Sequence, residues 1–122
     1  MSGFIAPTST VGENAQVRGN AWVVGAAQVY GHAKVFGMAW VYDDAIISGN
    51  ANVYEHSRIC DNALVKGNAR IMGQAWVYHD AKVYGNAIVG GHAKVYGIAI
   101  LEGDVNLTSG RVSDVHWWKD IP

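Results

Sequence analysis

The sequence has little charge and a single cysteine, and both deficits narrow the classes of protein to which it can belong. Charged residues make up 16% of the 122 residues, against about a quarter in ordinary globular domains. The formal net charge is −1, so bulk charge gives no argument for a long nucleic acid or a membrane as partner. Cys60 has no second cysteine to pair with, which excludes an intrachain disulfide and favours a reducing compartment.

Long apolar runs and targeting signals are missing as well. No stretch approaches the roughly 18 apolar residues of a membrane span, and the first seven residues lack the basic region and apolar run of a signal peptide. We therefore expect a cytoplasmic protein. Half of the chain is hydrophobic, enough for the core of one domain. A surface with so few charges is expected to be partly covered by another subunit.

An uninterrupted six-residue repeat takes up most of the chain. The aliphatic positions of this repeat are Ile5, Val11, Val17, Val23, Val29, Val35, Val41, Ile47, Val53, Ile59, Val65, Ile71, Val77, Val83, Val89, Val95, Leu101 and Leu107. Alanine usually stands two residues before each of them, glycine two residues after, and Asn, His or Asp follows the glycine. A helix cannot use this pattern, because six does not match its period and each glycine costs a helix about 1 kcal/mol. Each unit is predicted to be a very short strand and a bend, in which glycine and asparagine both tolerate a positive φ.

The variable positions give the number of units in one coil. Residue types return at intervals of 18 or 36 residues. Two such series are Trp22, Trp40 and Trp76, and Gly31, Gly49, Gly67, Gly85 and Gly103. A period of 18 means three units per coil and a triangular cross-section, with like residues stacked about 4.8 Å apart. The predicted fold is therefore all-β, a single triangular parallel β-helix of about six coils, because units this small bury little unless they stack.

This repeat resembles that of the hexapeptide-repeat family, with residues 65–70 (VKGNAR) and 83–88 (VYGNAI) as typical units. The resemblance covers roughly residues 3–109. It implies a left-handed parallel β-helix, similar to gapless hexapeptide-repeat proteins of phages and bacteria. We assign residues 1–109 to this β-helix. The register fails after Leu107, so residues 110–122, with Trp117 and Trp118, are expected to form a separate tail and not a seventh coil.

One outward side of the predicted prism, which we call face A, carries most of the aromatic residues. The side chains assigned to face A are Phe4, Ala6, Trp22, Val24, Trp40, Tyr42, Arg58, Cys60, Trp76, Tyr78, Lys94 and Tyr96. An apolar strip of this kind marks an interface or a ligand surface. The predicted interface of a closed homotrimer consists of Phe4, Trp22, Trp40 and Trp76.

Face A also carries a candidate ligand site. Its residues are Trp40, Tyr42, Arg58, Trp76, Tyr78 and Lys94. Aromatic planes with a cation one coil away can stack a base and pair a phosphate, which predicts a small anionic aromatic ligand such as a nucleotide. The alternative is that Arg58 and Lys94 only form the polar part of a subunit contact.

The histidines do not predict a metal site. One branch of the family resembles zinc carbonic anhydrases with three histidine ligands, but His56 and His92 are two coils apart here, about 9–10 Å. Zn–N bonds are about 2.0–2.1 Å long, so these two side chains cannot share an ion within one chain. No metal and no cofactor are predicted. Cys60 is expected to pack among aromatic residues and not to act as a nucleophile.

The sequence therefore predicts a non-enzymatic homotrimeric β-helix that serves as a structural or small-ligand-binding module, such as one that sequesters a nucleotide. No catalytic residue is assigned. The alternative is a small hexapeptide acyltransferase that uses a histidine as general base in a groove between subunits. Such enzymes resemble this chain in the repeat, but they usually add a loop that carries part of the site, and the repeat here has no insertion.

Overall fold

A computed structural model describes residues 3–113 and the backbone of residues 116–118. These residues form twenty short strands and no helix. The strands are β1 Phe4–Ile5, β2 Thr10–Val11, β3 Gln16–Val17, β4 Trp22–Val23, β5 Gln28–Val29, β6 Lys34–Val35, β7 Trp40–Val41, β8 Ile46–Ile47, β9 Asn52–Val53, β10 Arg58–Ile59, β11 Leu64–Val65, β12 Arg70–Ile71, β13 Trp76–Val77, β14 Lys82–Val83, β15 Ile88–Val89, β16 Lys94–Tyr96, β17 Ile100–Glu102, β18 Asn106–Leu107, β19 Arg111–Ser113 and β20 His116–Trp118. The described part of the chain has no helix long and apolar enough to cross a membrane.

Every third strand belongs to the same parallel sheet, so the chain winds through three sheets in turn. The sheet orders are β1-β4-β7-β10-β13-β16-β19, β2-β5-β8-β11-β14-β17-β20 and β3-β6-β9-β12-β15-β18. Residues that pair across neighbouring strands occupy the same position of the six-residue repeat, in units that lie three repeats apart along the chain. Phe4, for example, pairs with Trp22. This confirms the prediction of an all-β solenoid with three units per turn and about six turns. The left hand of the coil stays a prediction from the resemblance.

The inward side chains form one continuous core. From Val23 to Leu107 the aliphatic residue of every unit is buried, and so is the alanine two residues before it wherever alanine is present. Each fully buried aliphatic side chain stabilises the fold by roughly 1.5–3 kcal/mol. Ser57 replaces one of these alanines, and its hydroxyl donates a 2.8 Å hydrogen bond to the carbonyl of Tyr54. A polar group is therefore accommodated in the core without a lost hydrogen bond.

From residue 19 to residue 104 each corner turns on a residue with positive φ, and the glycine of the repeat usually supplies it. Gly67 has a φ of 69°, and a Cβ there would lie 2.9 Å from the backbone nitrogen of Gly85 on the next coil. Both the backbone conformation and the close stacking of coils favour glycine over a residue with a side chain at this site. In the corners from residue 19 to residue 104, the residue after this position never has a positive φ. Of the two residues that form each bend, the first therefore adopts the positive φ and the second does not.

Four corners place a residue other than glycine in this strained conformation. These residues are Asp43, Glu55, Asp61 and His79, with φ between 57° and 58°. Each side chain accepts a hydrogen bond from the backbone N–H of the residue one coil later. The distances are 3.3 Å from Asp61 to Asp43, 2.7 Å from Gly73 to Glu55, 3.0 Å from His79 to Asp61 and 3.3 Å from Gly97 to His79. Those N–H groups have no backbone acceptor among the described residues, so the side-chain bond offsets part of the strain.

The segment after residue 109 extends the solenoid, which corrects the expectation of a separate tail. Strand β19 pairs with β16 and places Arg111 opposite Lys94, one residue short of the regular spacing. Strand β20 pairs with β17 and places Trp117 opposite Leu101, two residues short of it. The six-residue register is lost as predicted, but shorter connections still deliver both strands to their sheets as a partial seventh coil. The side chains of Trp117 and Trp118 lie outside the described part of the chain.

The corner hydrogen bonds predict that Asp61 contributes to stability and that its neighbour Asp44 does not. Asp61→Ala removes the acceptor for the N–H of His79 and keeps the positive φ, so we expect a loss of about 1–2 kcal/mol in the free energy of unfolding. Asp61→Gly should lose less, because glycine adopts that conformation without strain. The measurement is urea unfolding followed by circular dichroism. Asp44→Ala is the control for the lost charge, and equal losses in Asp61→Ala and Asp44→Ala would contradict the assignment.

Candidate binding groove on face A

Cations and indole rings alternate along the middle of face A. Parallel pairing puts Trp40, Arg58, Trp76 and Lys94 on four successive strands. The guanidinium carbon of Arg58 lies 5.4 Å from the centre of the Trp40 ring and 5.5 Å from that of Trp76. The ammonium of Lys94 lies 5.7 Å from the Trp76 ring. Cation–π attraction at these distances contributes about 0.5–1 kcal/mol at exposed sites, so both cations are held along the column.

The first coils of face A carry an exposed aromatic stack. Trp22 and Trp40 have ring centres 5.5 Å apart and nearly parallel planes, and Phe4 packs against Trp22 at 5.9 Å. The exposed fractions of Phe4, Trp22 and Trp40 are 52%, 48% and 41%. Trp76 differs from these three, because it is only partly exposed and lies between Arg58 and Lys94. The apolar strip of face A is therefore open to solvent in its first half alone.

A groove of about 430 Å³ opens where the corner before each face A strand meets the face. Its lining residues are His56, Arg58, Gln74, Trp76, His92 and Lys94. Four of these described residues are basic and none is acidic. The histidines and Gln74 come from the corner, and each precedes its face A neighbour by two residues. The groove therefore combines donors from a bend and from a strand on three consecutive coils.

Only part of the predicted ligand site lines this groove. Arg58, Trp76 and Lys94 line the groove, whereas Trp40, Tyr42 and Tyr78 do not. The sequence predicts that His56 and His92 lie two coils apart, but it was not used to place them, or Gln74 between them, beside the cations. The signal was available, because each of these residues lies two positions before a face A residue. Arg111 was also missed, and it extends the column of face A beyond Lys94.

Tyr42 and Cys60 occupy the other edge of face A, where Cys60 is buried and Tyr42 is partly exposed. Burial and a hydrogen bond with Cys60 raise the pKa of Tyr42 to about 12. Burial also raises the pKa of the Cys60 thiol, which is 5% exposed. Contacts with Tyr42 and Trp76 act in the opposite direction on Cys60 but do not outweigh burial. Trp76 Nε1 is buried and has no hydrogen-bond partner among the described residues. Its contact with the Cys60 sulfur is therefore weak. At neutral pH the thiol is protonated and therefore a poor nucleophile.

Acidic side chains cluster at the corner that follows face A. A second groove of about 570 Å³ is lined by Ala26, Asp43, Asp44, Asp61, Asn62, His79 and Asp80. Within this region, ligand atoms of Asp43, Cys60 and Asp61 lie within 4.8 Å of one another. The carboxylates of Asp43 and Asp61 already accept backbone hydrogen bonds. A metal ion there would also require the thiolate of Cys60, which burial disfavours.

The two histidines of the groove are arranged as their spacing predicts. The backbone N–H of His56 donates to the carbonyl of Gly73, and that of Gln74 donates to the carbonyl of Gly91. Gln74 therefore occupies the coil between His56 and His92. With strands about 4.8 Å apart, two coils separate the backbones of these two histidines by about 9–10 Å.

Comparison with known proteins returned no match to this chain from a protein-family model, a curated protein or a solved structure. The observed architecture, a parallel β-solenoid with three short strands to each turn, is compatible with the hexapeptide-repeat type.

The raised pKa values predict a loss of stability at high pH. The folded state favours the neutral phenol of Tyr42, whose pKa lies near 10 when unperturbed and at about 12 here. Its contribution is complete below pH 10 and is lost as the pH rises through 12, because the unfolded chain releases that proton first. Cys60 acts in the same direction from a lower pH. Tyr42→Phe should flatten the fall in unfolding free energy between pH 9 and pH 12.

Denaturant titrations at a series of pH values measure this effect. Tyr30→Phe is the matched control, since Tyr30 lies exposed on another sheet. A pH dependence that is the same in Tyr42→Phe and in the wild type would show that the Tyr42 phenol does not contribute.

Proposed function

We propose that the protein is a non-enzymatic, homotrimeric binding module of the hexapeptide-repeat type that holds a small anionic molecule in the face A groove. The observation that carries this proposal is the composition of the groove, with four basic side chains and no acidic one among its described lining residues. On a chain with a net charge of −1, such a local excess of positive charge favours an anion. The ligand is bound and not converted, so the protein acts by sequestration.

Arg58 is the main anion-binding group of this proposal. The rings of Trp40 and Trp76 lie on either side of its guanidinium. This arrangement leaves the N–H groups at the edge of the guanidinium plane for a ligand. Two parallel N–H groups match the oxygens of a phosphate, which a lysine ammonium does less well. His56 adds a donor beside Arg58, since an imidazole has an N–H even when it is neutral.

The phosphate part of a nucleotide fits the groove better than the base does. Arg58 lies against one face of Trp76 and Lys94 lies against the other, and Tyr78 is stacked on Tyr96 with ring centres 5.1 Å apart. A base that stacked on Trp76 would have to displace a cation. We therefore propose that charge recognition, and not base stacking, provides most of the affinity for a nucleotide.

The exposed stack of Phe4, Trp22 and Trp40 supports the homotrimer. Three large apolar side chains in contact with one another and between 41% and 52% exposed form the kind of patch that monomers usually hide. A closed ring of three subunits covers the same patch on each chain. The groove with Arg58 lies further along the same face and would border the contact between subunits.

One observation favours the acyltransferase alternative. His56 and His92 line the same groove as the cations, so a general base would lie beside an anion site that suits coenzyme A. Against it, the solenoid runs without an inserted loop through residues 3–113. An acyl-coenzyme A offered with amine acceptors separates the two functions, because release of free thiol that His56→Gln abolishes would establish catalysis.

The anion site predicts that Arg58→Ala weakens nucleotide binding. We expect nucleoside triphosphates to bind the wild type in isothermal titration calorimetry and the affinity to fall about ten- to hundredfold in Arg58→Ala, the effect of one lost charged hydrogen-bond pair. Arg70→Ala is the control, since Arg70 is an exposed arginine on a different sheet. No heat from any nucleotide at high micromolar concentrations would contradict an anion-binding function.

The exposed stack predicts a trimer that Trp22→Arg disrupts. Light scattering after size exclusion should give three times the chain mass of 13.1 kDa for the wild type. Trp22→Arg buries an unpaired charge in the contact and should give monomers or insoluble protein. Tyr30→Arg places the same charge at a tyrosine that is 45% exposed on another sheet and should stay trimeric. A monodisperse wild-type monomer would exclude this assembly.

A further inference from the structure

Trp76 keeps the two cations of the groove apart. Strand β13, which carries Trp76, lies between β10 with Arg58 and β16 with Lys94. The guanidinium of Arg58 and the ammonium of Lys94 therefore approach the same indole from opposite sides, at 5.5 Å and 5.7 Å from its centre. Two strand spacings separate the cations, on the order of 10 Å, and the ring prevents them from converging.

The corner residues of the groove repeat this arrangement. His56 precedes Arg58 by two residues and lies on the same coil, and His92 has the same relation to Lys94. Gln74 lies between the histidines, as Trp76 lies between the cations. The groove thus has a cation and an imidazole on each outer coil and two uncharged side chains on the middle coil.

We propose that the groove selects ligands with two anionic groups about 10 Å apart, the distance of two coils. One anion binds Arg58 and His56, the other binds Lys94 and His92, and the uncharged middle of the ligand passes Trp76 within reach of the Gln74 amide. This inference rests on the anion-binding function proposed above and narrows its ligand to a class with anionic groups at both ends, such as a bisphosphate.

A single phosphate does not use both ends of the groove. Its oxygens lie closer together than neighbouring strands do, so it reaches one outer coil and leaves the other cation hydrated. A second anion at the right distance binds as an intramolecular event, and its gain depends on a match between the length of the linker and the distance to be spanned. Arg111, opposite Lys94 on the next strand, adds positive charge to that end.

A length series tests this spacing. The probes are α,ω-alkanediol bisphosphates whose extended phosphate–phosphate distances run from well below to well above the separation of the cations, together with the matching alkyl monophosphates. Isothermal titration calorimetry on the protein as purified gives each affinity. We expect a maximum at the bisphosphate that spans two coils, at least about tenfold tighter than the monophosphates and the shortest bisphosphate.

Lys94→Gln should abolish the maximum, so that every bisphosphate binds about as tightly as a monophosphate, because only Arg58 then holds a phosphate. Lys82→Gln is the matched control, a lysine exposed on another sheet, and should keep the maximum. Monophosphates that bind as tightly as every bisphosphate would overturn the two-anion ligand while leaving the anion site in place. A length series without any binding would overturn both proposals.

Discussion

The hydrogen-bond ladder between coils is the constraint on which the rest of the molecule depends. Donors such as the N–H of Phe4, Asn20 and Trp40 all find the carbonyl of the residue just before their own counterpart on the next coil. A coil therefore has to contain three complete repeat units, since one extra residue would move every later donor away from its acceptor and turn inward side chains outward. Departures occur in the last coil, where Arg111 pairs one residue early and few later pairs depend on the register.

The same ladder decides which residues the corners accept. Because the coils lie so close together, the N–H of each positive-φ residue points at the corresponding corner residue on the preceding coil. Where that residue is a glycine, the N–H finds no side-chain acceptor. Four residues adopt this strained conformation, and their side chains provide the missing hydrogen-bond acceptor: Asp43, Glu55, Asp61 and His79. Backbone chemistry thus explains two carboxylates of the acidic corner after face A, those of Asp43 and Asp61, which are structural groups before they are ligands for anything else.

The sequence predicts well which residues stack on successive coils. It predicts poorly how the side chains of those residues contact one another. A fixed period places Arg58, Trp76 and Lys94 above one another, so the stack on face A follows from counting. Counting does not tell that the Arg58 side chain lies between two indoles, because that depends on side-chain rotamers and cation–π attraction. It also places His56 on a corner without showing that the corner opens toward the face. The partial seventh coil could not be predicted by counting, because its shortened and unequal spacings leave no repeat to count.

The proposed ligand recognition depends on the fixed spacing of side chains and not on closure over the ligand. The solenoid has no inserted loop within residues 3–113 that could fold over a bound molecule, so affinity has to come from side chains that are already in place. Arg58 meets that requirement, because the two indoles restrict its rotamers before any ligand arrives and less entropy is lost on binding. The distance between charged groups in one column is a multiple of the coil height. The proposed trimer would add neighbours beside the groove but would leave this spacing unchanged, so the two proposals, ligand selection and oligomerisation, can be tested separately on the same face.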